Sequence, residues 1–136
     1  DVGRMAESDA LEDAYRFRTP SLRNVALTGP YGHNGAFATL EGIVRHHLDP
    51  ARSFAEWSPE DVDLPDAPWL NAIDFVALSD SRERARIAAN IDIAPRALDD
   101  EAVSDLVAFL HALTGGDSVK GRLGAPKTVP SGLPLD

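Results

Sequence analysis

The strongest hydrophobic pattern in the chain lies between residues 99 and 113. Five apolar residues recur there at the spacing that places them on one face of an α-helix: Val103, Leu106, Val107, Leu110 and Leu113. Asp99 is a suitable N-cap for this helix, and Gly115 is a suitable residue to end it. We therefore predict a helix over 99–113.

A second helical pattern runs from residue 40 to residue 48, with Thr39 as its N-cap and Pro50 just beyond its end. The positions on its apolar face are Leu40, Ile43, Val44 and His47. Because each residue turns the helix by about 100°, His46 is rotated away from that face. We expect His46 to be an exposed residue at the helix end.

The rest of the chain shows weaker patterns. A single helical turn is predicted over 21–25, a short helix over 69–78 and a solvated helix over 81–91. Polar, Gly-rich or Pro-rich composition predicts loops over 1–15, 31–35 and 51–68 and an irregular tail over 116–136. No segment alternates convincingly over the length of a strand. The fold class is therefore mainly α and loop-rich, with little or no sheet.

Composition limits the possible functions of the chain. Its 136 residues suffice for one domain, and its net charge of −9 argues against a broad surface for nucleic acid or anionic membranes. There is no run of 18 apolar residues, so we expect no membrane span. The chain has no cysteine, which excludes disulfides, thiolate zinc sites and covalent attachment of a c-type haem within it.

Histidines are the main candidates for chemistry. His47 is either a structural histidine bonded to a backbone carbonyl or a metal ligand that enters an apolar pocket, for example the axial ligand of a haem iron. His33 lies in a Gly-rich loop, which a structural hydrogen bond from its ring would stabilise. A further alternative is that His33, His46 and His47 bind a transition metal directly.

A long block of the sequence resembles a known family. Residues 17–40 read FRTPSLRNVALTGPYGHNGAFATL, which is similar to the F-x-T-P-[ST]-L-R-N-x-x-x-T-x-P-Y-x-H-x-G signature of bacterial di-haem cytochrome c peroxidases and their MauG-like relatives. Residues 98–115 are similar to the closing helix of that family. The resemblance covers about residues 1–115, with an uncertain alignment over 51–97.

The resemblance implies a cytochrome c-like haem domain over 1–115, followed by the tail over 116–136. The family attaches its haem c through a C-x-x-C-H motif that precedes the block and is absent from this chain. His47 falls where peroxidases have an axial Met and MauG an axial Tyr. Arg23 is expected near a haem propionate, with a structural bond to a loop as the alternative, and His33 is expected at the cofactor. The backbone carbonyls of Thr28 and Pro30 are expected to bind calcium.

The implied function is that of an oxidoreductase. A second imidazole usually lowers the potential of a haem relative to Met, which favours a MauG-like enzyme that uses hydrogen peroxide to oxidise a residue of a protein substrate. This chain would supply the axial ligand and wall of the electron-transfer haem. The alternatives are a peroxidase that takes electrons from a small redox protein and a haem-free structural or binding module. A haem-bearing N-terminal part, a removed leader and a periplasmic location are also expected.

Overall fold

The computed structural model describes residues 2–62, 67–71, 73–119 and 131. These residues form helices and no strand, and their β-type pairing is limited to two isolated bridges, Gly3–Arg16 and Tyr31–Phe37. The prediction of a mainly α, loop-rich chain is confirmed. The α-helices are α1 (Met5–Ser8), α2 (Leu40–Leu48), α3 (Pro50–Glu56), α4 (Pro68–Asn71), α5 (Val76–Ser79), α6 (Ser81–Ala89), α7 (Asp100–Ala112) and α8 (Gly116–Val119).

The two helices with the clearest patterns form where they are predicted. The Thr39 side chain caps α2 by accepting a hydrogen bond from the Gly42 amide. Asp99 caps α7 in the same way, with the Ala102 amide as donor at 2.9 Å. In both cases a short polar side chain satisfies one of the amides that the first turn of a helix leaves without a partner.

Two further predictions are confirmed in part. The solvated helix over 81–91 is α6, which ends two residues earlier than predicted. The short helix over 69–78 is divided into α4 and α5. The helical turn expected over 21–25 is instead a 3₁₀-helix at Val25–Leu27, because Asn24 has a left-handed conformation (φ 58°) that no right-handed helix includes.

The prediction of a loop over 51–68 is wrong for its first part, where α3 lies. Asp49 ends α2 and also caps α3, since its carboxylate accepts the Arg52 amide at 3.2 Å. Pro50 occupies the first turn of α3, where a missing amide hydrogen costs nothing. From the sequence, Pro50 was predicted only to stop α2. Residues 63–66 of the predicted loop lie outside the described residues.

The ends of the chain also contain short helices. The segment predicted as a loop over 1–15 includes α1 and a 3₁₀-helix at Leu11–Asp13. Within the predicted tail, residues 116–119 form α8. Residues 120–130 and 132–136 of that tail lie outside the described residues.

The buried interior lies where α2 and α7 pack against each other. Leu40 of α2 is 8% exposed and Val103 of α7 is 1% exposed; they are the buried hydrophobic residues of the described chain. Helix α6 is attached to α3 through Arg84, whose guanidinium lies 5.1 Å from the centre of the Phe54 ring. None of the helices that the structure describes has the length and hydropathy needed to cross a membrane.

Many large apolar side chains remain on the surface. They include Phe17, Leu22, Leu27, Leu106 and Phe109. Leu106 and Phe109 belong to α7, and Leu27 belongs to the 3₁₀-helix that packs against α7. The helix with the strongest hydrophobic pattern therefore buries only part of its apolar face within the described chain.

Candidate functional site

The last turn of α2 carries His47 on the surface of the protein. The Nδ1 atom of the ring lies 2.9 Å from the carbonyl oxygen of Ile43, one turn earlier in the same helix. A carbonyl oxygen only accepts hydrogen bonds, so Nδ1 carries the proton in this bond. In the neutral ring Nε2 then holds the lone pair that binds a metal ion.

His46 differs from the prediction made for it. The prediction that it is an exposed residue is wrong: the ring is half-buried and lies against Phe37, with a distance of 4.8 Å between the ring centres. Its Nδ1 atom lies 2.9 Å from Ser53 Oγ on α3. Burial is the main cause that lowers the pKa of His46, and the neighbouring His47 adds to it. The reason for the difference is α3, which folds back over this side of α2.

The C-terminal end of α2 has further contacts. The carbonyl of Leu48 accepts a hydrogen bond from the Arg96 amide at 2.7 Å. Arg45 donates to Glu41 at 2.7 Å and to Asp100 at 2.8 Å, which joins α2 to the first turn of α7. The hydrogen bond to Asp100 is the main cause that raises the pKa of Arg45, and the hydrogen bond to Glu41 adds to it. The backbone around His47 is thus connected to two other parts of the chain.

A cavity of about 500 Å³ lies beside His46. Its lining includes Phe37, Ser53 and Trp57 and the charged residues Arg52 and Glu56. Trp57 is held by a hydrogen bond from its indole nitrogen to the Ala36 carbonyl at 3.1 Å. The cavity lies along α3, and because that helix was not predicted from the sequence, neither was the cavity.

Arg23 is exposed and precedes a residue with a structural role. The Asn24 amide donates to the Leu113 carbonyl at 3.2 Å, and Asn24 Oδ1 accepts from the Gly115 amide at 2.9 Å. These two bonds fasten the loop to the C-terminal end of α7. The sequence offered one signal for Asn24, since asparagine is enriched in the left-handed conformation, but it did not identify a partner 91 residues away.

The other candidate residues lie in the loop that follows. The His33 ring is exposed and stacks on Phe17, with 3.7 Å between the ring centres, so it connects the start of the sequence block to the Gly-rich loop. Thr28 Oγ1 donates to the Val25 carbonyl at 3.0 Å. The carbonyl oxygens of Thr28 and Pro30 accept no hydrogen bond from residues that the structure describes.

The alternative of a transition metal held by three histidines is not supported. The Nδ1 atoms of His46 and His47 bond to different partners, Ser53 Oγ and the Ile43 carbonyl, and His33 stacks on a phenylalanine. Within residues 2–62, 67–71, 73–119 and 131, no three histidine or acidic side chains come together as metal ligands. The bond of His47 to the Ile43 carbonyl is the one expected of a structural histidine, and the same bond leaves Nε2 of the exposed ring available, so His47 remains the candidate ligand.

The fold is that of a mainly α-helical, cytochrome c-like domain. Curated relatives resemble the chain over much of its length. It is 37% identical over 105 residues to the methylamine utilization protein MauG of Paracoccus denitrificans (strain Pd 1222), a match that covers 73% of this chain and 23% of that protein. It is 26% identical over 118 residues to MauG of Methylophilus methylotrophus, covering 85% of this chain and 26% of that protein.

A shorter match relates the chain to a peroxidase. It is 49% identical over 45 residues to a cytochrome c peroxidase of Escherichia coli (strain K12), covering 33% of this chain and 10% of that protein. The chain belongs to the family of MauG proteins and di-haem cytochrome c peroxidases. It spans about a quarter or less of the length of these relatives. No family model and no solved structure matches it.

Proposed function

We propose that this chain forms part of a MauG-like di-haem oxidoreductase and supplies the axial ligand and wall of its electron-transfer haem. The observation that carries the proposal is the geometry of His47. Its Nδ1 donates to the Ile43 carbonyl, which leaves the exposed Nε2 as the ligating atom. A histidine that ligates a metal usually donates its other ring nitrogen to such a partner, which fixes the ring and increases its basicity.

The donor set of the chain fits a c-type haem whose covalent attachment lies elsewhere. The chain has no cysteine, so we expect the attachment motif in a haem-bearing N-terminal part of the same protein. The exposed apolar side chains of α7 and the neighbouring 3₁₀-helix suit the apolar faces of a haem and its carrier segment. When bound, the haem supplies one-electron oxidation and reduction at its iron.

Other residues of the sequence block have supporting roles in the proposal. Arg23 is an exposed guanidinium at the fastened end of its loop, where it can bind a propionate through two parallel hydrogen bonds. His33 contributes a cofactor contact from the adjoining loop. The carbonyl oxygens of Thr28 and Pro30, which are free of hydrogen bonds from the described residues, suit a calcium ion because hard cations prefer oxygen ligands.

The ligand type favours a particular branch of the family. A histidine in place of methionine lowers the potential of the haem, so the iron is a poorer acceptor for electrons from a small redox protein. We infer that the complete enzyme, in the periplasm, uses hydrogen peroxide to oxidise a residue of a protein substrate. The peroxidase alternative is supported by the match to the E. coli enzyme.

The experiment uses the full-length protein, with its haem-attachment segment, expressed in a host that attaches c-type haem. Peroxide is supplied either with a reduced small cytochrome or with candidate protein substrates, and oxidised residues are identified by mass spectrometry. We expect a mass change on a protein substrate and slow oxidation of the cytochrome. Rapid oxidation of the cytochrome without protein modification would favour the peroxidase alternative, and absence of a haem absorbance band would favour the haem-free module.

His47→Met tests the ligand argument in the same protein. Methionine also ligates haem iron, so the low-spin spectrum should persist while the reduction potential of that haem rises. His111→Ala is the matched control, because His111 is an exposed histidine in the last turn of α7. A potential that His47→Met leaves at its wild-type value would contradict the assignment.

A further inference from the structure

The last turn of a helix is its least constrained part. The last four carbonyl groups of α2 have no partner within the helix, and such ends fray readily. His47 lies in this turn, so fraying would move its Nε2 atom. A residue that ligates a metal requires a fixed backbone and a fixed ring.

Besides the ion pair of Arg45 with Asp100, two hydrogen bonds next to His47 hold this turn from outside the helix. The Arg96 amide binds the Leu48 carbonyl at 2.7 Å, and Ser53 Oγ binds His46 Nδ1 at 2.9 Å. The second contact crosses the corner at Asp49, so it also fixes the angle between α2 and α3. The His46 ring is confined on its other side by Phe37.

We propose that His46 and Ser53 form a clamp that positions His47 for metal binding, an inference that rests on the proposed function of His47. The ring of His46 lies edge-on to that of His47, with 5.5 Å between their centres. The two adjacent histidines therefore have different tasks. His46 faces inward and anchors the turn, while His47 faces outward and presents Nε2.

The test separates the hydrogen bond from the packing of the ring. Ser53→Ala removes the hydroxyl, and His46→Phe keeps a ring against Phe37 but removes Nδ1. Ser53→Thr retains the hydroxyl and is the conservative variant. Ser104→Ala, at an exposed serine of α7, is the matched control.

The readout is the strength of the bond from His47 to iron in the full-length, haem-loaded protein. Cyanide is added to the ferric protein, and its displacement of the ligand is followed as loss of the low-spin electron paramagnetic resonance signal of a bis-imidazole haem. We expect Ser53→Ala and His46→Phe each to increase the apparent cyanide affinity about fivefold, the factor that corresponds to one hydrogen bond of about 1 kcal/mol. Ser53→Thr and Ser104→Ala should retain the wild-type affinity.

The outcomes distinguish this inference from the proposed function. If His47→Ala abolishes the bis-imidazole signal but Ser53→Ala and His46→Phe leave the cyanide affinity unchanged, the clamp is refuted and the ligand assignment stands. If His47→Ala leaves the signal in place, the ligand assignment fails and the clamp fails with it. A clamp that only stabilised the fold would lower the melting temperature without changing the cyanide affinity, and that result also refutes the inference.

Discussion

At the scale of single residues, Asn24 shows how one side chain connects distant parts of the chain. Its backbone has a left-handed conformation that costs most residues about 1–2 kcal/mol. Its amide and its side-chain oxygen both bond to the end of α7. The loop that carries Arg23 is therefore held by the residue next to it.

Two substitutions at Asn24 separate these contributions. Asn24→Gly keeps the left-handed backbone at little cost but loses the side-chain acceptor, so the free energy of unfolding should fall by about 1 kcal/mol. Asn24→Ala loses the side-chain acceptor and also strains the left-handed backbone, so the free energy of unfolding should fall by about 2 kcal/mol. Chemical denaturation of the two variants measures the difference. Equal losses would show that the backbone conformation contributes nothing.

Tyr15, like His46 and Arg45, is a residue for which a shifted titration is expected. Its hydroxyl donates a hydrogen bond to the Glu83 carboxylate, and this bond is the main cause that raises the pKa of the phenol. Ionisation would place a phenolate against a carboxylate. The stabilisation of the fold by this hydrogen bond is therefore present below a pH of about 10, the ordinary pKa of tyrosine. It is lost as the pH rises through the raised pKa of Tyr15.

Carbon-13 NMR of the tyrosine Cζ atoms checks this titration. The Tyr15 resonance should titrate above the ordinary range, and Tyr15→Phe should remove it. Glu83→Gln should bring the same resonance back towards the ordinary range, while Tyr31→Phe, the matched control, should leave it in place. A late resonance that survives Tyr15→Phe would contradict the hydrogen-bond assignment.

At the scale of helices, the sequence identified those with both a cap and a hydrophobic pattern. Thr39 and Asp99 cap α2 and α7 as predicted. Helix α3 was missed because its signal, an aspartate followed by a proline, also marks the end of the preceding helix. Because α3 was missed, His46 was wrongly predicted to be exposed: Ser53 of α3 contacts its ring.

The contact between α2 and α7 depends on Val103. This side chain is almost fully buried, and removing two of its methyl groups leaves a cavity. Val103→Ala should lower the free energy of unfolding by about 2 kcal/mol. Val76→Ala is the matched control, because Val76 is 60% exposed and its loss should change stability by less than about 0.5 kcal/mol. Equal effects in thermal denaturation would contradict the assignment of the interior.

At the scale of the whole molecule, the sequence block gave the family and the pattern gave the fold class. The geometry of the site was only partly predictable. Spacing selected His47 on α2, but its bond to the Ile43 carbonyl depends on the side-chain conformation. Ser53 and Phe37 contact the neighbouring His46, and Arg96 bonds to Leu48. These three residues come from other segments of the chain, and a single sequence does not show which of its segments meet.

The charge of the molecule agrees with this account. A net charge of −9 does not suit nucleic acid, and some of the exposed apolar side chains lie on α7 and the 3₁₀-helix that packs against it. The part of each relative that the chain matches is about a quarter or less of that relative's length. Under the proposed function, these 136 residues form one part of a haem site, and another part of the same protein completes it.

The most direct test of the central claim is low-temperature electron paramagnetic resonance of the ferric, full-length protein with and without His47→Ala. The account predicts a low-spin bis-imidazole signal in the wild type and in His111→Ala. In His47→Ala that signal should give way to a high-spin one and return when imidazole is added. An unchanged bis-imidazole signal in His47→Ala would show that His47 does not bind the iron.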